Sequence, residues 1–166
     1  VLDTPPEPEF DELARLAAQL CGTPIALVSL VTRTRQWFKA RVGLEVGETG
    51  RRVAFRAEAI LRRLELLVVP DAQQDGRFAD NPLVVGPPWI RFYAGAPLCT
   101  ESGRALGTLC VIDRIPRQLS ARQRQDLDAL ARQAVTQLEF RRRGLELARA
   151  HRRLEEAQAE ARRFLV

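Results

Sequence analysis

An α+β domain with a central antiparallel sheet is the fold class this sequence predicts. Two observations point to it. Apolar runs rich in β-branched residues come as neighbouring pairs joined by short polar turns, as antiparallel strands require. Amphipathic helical patterns stand at the two ends, so that five or six strands surround two short helices and a long C-terminal one.

The elements follow in order. PEPEFDELARLAAQLCG has a proline start, acidic residues in its first turn, and Phe10, Leu13, Ala17 and Leu20 at helical spacing until Gly22 stops the pattern. PIALVSLV (24–31), the turn TRTR and QWFKARVG (36–43) read as two adjacent antiparallel strands. After a glycine-rich loop, helical spacing returns over 54–64 with Ala57, Ile60, Leu61 and Leu64 on one face, and a short strand, LLVVP, follows. Residues 71–90, DAQQDGRFADNPLVVGPPWI, hold no sustained period; a connection of that length inside a domain is more often functional than decorative. RFYAGAPLCT and RALGTLCVID flank ESG as a hairpin that sets Cys99 opposite residue 105 or 106.

From Ser120 the chain reads as helix to its end, opened by SARQ, an S-x-x-Q capping box. Leu127, Leu130, Ala131, Ala134 and Leu138 form a stripe suited to packing on a sheet. From Phe140 the register changes. Phe140, Leu147, Leu154 and Ala161 recur every seventh residue, with Ala150, Ala157 and Phe164 between them and only Arg143 breaking the pattern. About three and a half such heptads predict a parallel coiled coil and hence a homodimer, the alternative being a solvated helix that stands free or packs on another domain. The expected division is therefore a domain over 1–139 and a signalling helix over 140–166, reaching roughly 37 Å beyond it.

Composition narrows the function. The 166 residues suit one domain, and 46% apolar residues suffice for a core. No apolar run approaches a membrane span of about 18 residues and no leader opens the chain, so a soluble, cytoplasmic protein without membrane insertion is expected. A chain that begins at Val1, has no Met and stops inside a helical pattern is expected to be part of a longer protein. The net charge of +5 comes almost wholly from arginine, Lys39 being the only lysine, and glutamates interleave with the arginines of the last helix; this is not the one-sign stripe of a nucleic-acid surface. Cys21, Cys99 and Cys110 each stand in apolar sequence with no CxxC pair, and the only histidine, His151, lies far along the last helix. No metal or haem site, serine-hydrolase triad, redox pair or phosphate-cradling glycine motif is expected.

A cavity remains as the candidate site. Antiparallel strands covered by a long irregular segment and a short helix make a pocket for a small molecule. Its candidate lining residues are Phe55, Arg56, Phe78, Trp89, Phe92 and Tyr93, with Asp71 at the start of the covering segment. The candidate dimerisation residues are Phe140, Leu147, Ala150, Leu154, Ala157 and Ala161.

The stretches LDTPPEPEFDEL, TPIALVSLV, RQWFKARVGL, DAQQDGRFADNPLVVGPP, IRFYAGAPL and GTLCVIDRIPRQLS, in this order, resemble a bacterial GAF domain. The resemblance implies a GAF-like (profilin-like) sheet of about six strands, the N- and C-terminal helices on one face and the pocket on the other. It further implies a sensory domain that catalyses nothing itself and stands upstream of a sensor histidine kinase or diguanylate cyclase, regulating it through dimeric helices. Where relatives commonly read SFCAHAI this chain reads AFRAEAI, so Ala54, Arg56 and Glu58 replace a serine, a cysteine and a histidine. With no Cys-His pair, no histidine in the domain and no NKFDE-type signature, neither bilin, haem nor cyclic nucleotide is expected as ligand, and no cofactor is expected. The leading expectation is a ligand- or partner-sensing domain of a histidine kinase. The alternatives are a ligand-free dimerisation and spacing module, or a thiol-dependent methionine sulfoxide reductase, against which Cys99 and Cys110 fall in strands rather than on pocket loops.

Overall fold

Helix α1 (Pro8–Cys21) begins where the sequence places a ring with no N–H to satisfy. The Glu7 carbonyl accepts the first helical hydrogen bonds from the amides of Phe10 and Asp11 (3.2 and 3.1 Å). At the other end Gly22 takes φ +67°, and the Thr23 N–H reaches back to the Ala18 carbonyl at 3.0 Å, a glycine-closed terminus. The packed stripe is rotated from the one the sequence predicts. Phe10, Ala14, Ala17, Ala18 and Cys21 are buried, while Leu20 is exposed. The three alanines let the helix axis lie close on the sheet, which larger side chains would hold off.

A computed structural model of the chain describes residues 5–31, 35–44, 48–50 and 65–165. The helical pattern expected over 54–64, with Phe55 and Arg56, lies outside these residues. The six described strands are β1 (Ile25–Val31), β2 (Arg35–Val42), β3 (Glu48–Gly50), β4 (Leu67–Val69), β5 (Phe92–Cys99) and β6 (Ala105–Asp113). They form one antiparallel sheet in the order β3-β2-β1-β6-β5-β4. The short β3 falls in the stretch that composition alone makes a glycine-rich loop. The β5–β6 hairpin has the expected register, with Cys99 opposite Ala105.

Strand alternation gives the sheet two different faces. On one, Ala26, Val28, Leu30, Ala94, Ala96, Leu98, Leu109 and Val111 meet α1 and the last helix. On the other, Ile25, Leu27, Phe38, Val69, Tyr93, Cys110 and Ile112 meet Ala72, Phe78, Val84 and Ile90 of the segment between β4 and β5. That segment carries a 3-10 turn (Ala72–Gln74) and a one-turn helix, α2 (Pro82–Val85). Both faces are buried, so β1, β5 and β6 read as nearly continuous apolar runs.

Helix α3 (Ala121–Phe164) is 44 residues long, about 66 Å at 1.5 Å per residue. The expected capping box is formed: Ser120 Oγ accepts from the Gln123 N–H (3.1 Å), and the Ser120 N–H donates to Gln123 Oε1 (2.9 Å). Leu127, Ala131, Ala134 and Leu138 are buried against the sheet, and every residue from Phe140 to Leu165 is exposed. Among the described residues no helix is long and apolar enough to cross a membrane.

Candidate functional site

The segment that covers the second face is held by its own polar residues. Asp71 Oδ1 accepts from the Gln73 N–H at 3.1 Å and so caps the 3-10 turn; Asn81 Oδ1 does the same for α2 through the Leu83 N–H at 2.9 Å. The two ends of the segment are tied to one another. Arg91 Nε and Nη2 donate to the two carboxylate oxygens of Asp71, each at 2.9 Å, and the Ala72 N–H donates to the Arg91 carbonyl. A bidentate pair of this kind fixes orientation as well as distance. The hydrogen bonds from Arg91 hold the Asp71 carboxyl below its usual range, outweighing the upward push of burial. The Arg91 N–H in turn donates to the Asp113 carbonyl at the end of β6, 3.0 Å away, so the clasp sits where β5 begins and β6 ends.

Under this cover, Phe78, Val84 and Ile90 fill the space over Ile25, Leu27 and Ile112 with apolar side chains. Further along β1 and β6 the same face turns polar. Ser29 and Thr108 stand opposite each other, 0% and 1% exposed, with their hydroxyl oxygens 2.7 Å apart; the serine also reaches the Thr108 carbonyl at 3.4 Å. On the strand next to β6, Tyr93 leans along β5 over Gly95, where any Cβ would run into its ring and hydroxyl. Gly95 pairs with Cys110, so the tyrosine, the thiol and the hydroxyl pair share the face that the covering segment overlies. Ser29, Thr108, Gly95 and Cys110 are absent from the sequence-based selection. The signal for the first two was a small hydroxyl residue in the middle of each of two apolar strands.

The residues selected from sequence do not all come together. Phe78 and Tyr93 lie in the second core, on the covered face. Phe92 does not: it is fully buried in the other core, against the helices, because adjacent residues of a strand point to opposite faces. Of that pair, Tyr93 alone is on the covered face, so Phe92 is withdrawn as a lining residue. Trp89 is 55% exposed, with a left-handed backbone at φ +63°, and belongs to neither core cluster of the described residues. Asp71 has both oxygens engaged by Arg91 and acts as the clasp rather than offering a bare carboxylate. Phe55 and Arg56 lie outside the described residues.

Burial raises the thiols of Cys21, to about 11, and of Cys99, which opposes nucleophilic use. Cys110 stands opposite Gly95, four residues along β5 from Cys99, so the two sulfurs are separated by roughly 14 Å of strand. Among the described residues no group of three or more His, Cys, Asp or Glu side chains is placed to hold a metal ion.

The second candidate site is the outer part of α3. Phe140, Leu147 and Leu154 are 76, 73 and 56% exposed, and Ala150, Ala157 and Ala161 are exposed with them. Around them Arg142 pairs with Glu139 at 2.9 Å and His151 with Glu155 at 3.3 Å, pairs within one helix that leave the apolar seam uncovered.

A family model described as GAF domain matches residues 5–138. A cyclic di-GMP phosphodiesterase from Pseudomonas aeruginosa is 53% identical over 108 residues, 65% of this chain; the chain spans only 18% of that relative's length. Among solved structures, the PixJ GAF domain of Thermosynechococcus elongatus in its blue-light absorbing form superimposes with a TM-score of 0.66 at 16% identity, covering 86% of this chain and 92% of that one. A free methionine-R-sulfoxide reductase from Neisseria meningitidis gives 0.64 at 17% identity, with 81 and 78% covered. At such identities the structures speak to the fold alone. With sheet order, flanking helices and family match in agreement, the chain belongs to the GAF domain family.

Proposed function

We propose that this GAF domain is the sensory and regulatory part of a cytoplasmic bacterial signalling protein. Its covered sheet face receives a small molecule or a partner, and its outer helix pairs with that of a second copy to pass the resulting change to an output module. The observation that carries this reading is the seam from Phe140 to Phe164. Four large apolar side chains, Phe140, Leu147, Leu154 and Phe164, stand at least 56% exposed at coiled-coil positions, on a helix whose remaining surface is mostly arginine and glutamate, with Leu145 the one large apolar side chain off the seam between Phe140 and Phe164. A two-state change in how such helices pack is a physical means of transmission over the length of α3.

The 53% identical relative favours an output that turns over cyclic di-GMP, in place of the histidine kinase expected from the resemblance alone. The domain itself is proposed to catalyse nothing; the roughly 14 Å between Cys99 and Cys110 argues against a dithiol mechanism. A second reading, a ligand-free spacer, is favoured by one observation: Phe78, Val84 and Ile90 occupy the face beneath the covering segment. Native mass spectrometry of freshly purified protein, with thermal shifts across a metabolite library, separates the two. A bound mass or a saturable stabilisation supports the sensor; neither, across the library, supports the spacer.

A further inference from the structure

Lys39 is the only lysine in the chain and its side chain is 0% exposed. It stands in β2 where the register with β1 slips: Val28 faces Ala40 and Ser29 faces Phe38, leaving Lys39 as the extra residue of a β-bulge. A bulge redirects a side chain, and this one turns the lysine into the crevice between the sheet and α1. There its ammonium lies 5.5 Å from the Phe10 ring centroid and 5.8 Å from that of Trp37, donates to the Pro5 carbonyl at 3.0 Å and meets Glu7 Oε2 at 3.0 Å. The other carboxylate oxygen of Glu7 is held by the Arg141 guanidinium. Arg141 follows Leu138, the last buried residue of α3, by three positions, so it marks the place where the long helix leaves the domain.

We infer that Lys39, Glu7 and Arg141 form a latch joining the β2 bulge to the exit of α3, so that the setting of β2 and the direction of the helix are energetically coupled. The physics is asymmetric. Separating a buried ammonium from a carboxylate 3.0 Å away carries a heavy desolvation cost, so the Lys39–Glu7 contact is the firmer side of the latch. Arg141 has half its side chain in water and gives up little on release, so the latch opens at the helix. Burial raises the Glu7 carboxyl, but the lysine and arginine outweigh it and hold Glu7 below its usual range, which keeps it charged at neutral pH. Phe38, one residue before the lysine, packs on the covered face, so β2 touches both the candidate site and the latch. The regulatory meaning rests on the proposed relay role of α3; the coupling itself does not.

The test is a cycle of variants read by hydrogen exchange of the amides over 139–146: Arg141→Gln, Lys39→Met and the double variant. Each single variant is expected to exchange at least about threefold faster there, while Lys39→Met adds nothing once Arg141→Gln is present. An unchanged rate in Lys39→Met with the β1 and β6 amides still protected, or an equal effect in both backgrounds, overturns the latch. Should Lys39→Met not fold, Glu7→Gln takes its place: it is expected to match Arg141→Gln without adding to it, and additivity overturns the inference. Light scattering on the same samples fixes the oligomeric state, so the absence of a dimer contradicts the relay while the exchange cycle still decides the latch.

Discussion

The hydroxyl pair on the covered face yields a prediction whose sign reverses with background. Ser29 and Thr108 are shut from water and their oxygens are 2.7 Å apart. Removing the serine hydroxyl by Ser29→Ala strands that of Thr108 in the core, a loss of about 1–3 kcal/mol. Thr108→Val is nearly isosteric and leaves Ser29 the Thr108 carbonyl at 3.4 Å, so it costs only about 0.5–1.5 kcal/mol, one ordinary hydrogen bond. Replacing both partners by apolar groups removes the stranded polar atom altogether and comes close to neutral. Thr108→Val is therefore destabilising in the wild type and stabilising in the Ser29→Ala background.

Urea denaturation followed by circular dichroism measures the cycle, and each kcal/mol moves the thermal midpoint by about 2–4 °C for a chain of this size. A double variant that loses the sum of the two single losses refutes the reasoning, since it would mean that the hydroxyls do not depend on each other.

Other predictions concern the sheet and its cover. A Cβ on Gly107 would run into the Ser29 carbonyl and the Leu30 backbone, so Gly107→Ala forces β1 and β6 apart and costs about 1–3 kcal/mol or more, read as a lowered urea midpoint. Asp71→Asn opens the clasp with Arg91; faster proteolytic cleavage within 71–91, with an unchanged circular dichroism spectrum, is the expected result. Because the folded Asp71 carboxyl is held below its usual value, the clasp is complete above the ordinary carboxylate range and is lost only as pH falls through the depressed value. Wild-type protection of this segment should accordingly persist at about pH 5 and fail in stronger acid.

What was legible in the sequence was local. The glycine stop of α1, the capping box of α3 and the register that sets Cys99 against Ala105 each depend on a few neighbouring residues. The candidate site depends on partners far apart in the chain. Ser29 and Thr108 meet only because β1 is inserted between β2 and β6, a pairing of residues 79 positions apart. In FYAGAPL both faces are buried, so no alternation separates Phe92 from Tyr93. Asp71 reads as a pocket carboxylate until Arg91, 20 residues on, is seen to take both its oxygens. The lysine bulge has no local signal, since WFKA alternates no differently from an unbulged strand.

The central claim is that the outer helix pairs two copies of the domain and thereby carries its state outward. Sedimentation equilibrium of the whole chain and of a form ending at Arg142 tests it most directly. About twice the 18.7 kDa chain mass is expected for the first and a single domain for the second. Equal association of the two forms, or a monomeric whole chain at concentrations well above those of other coiled coils of this length, would contradict it.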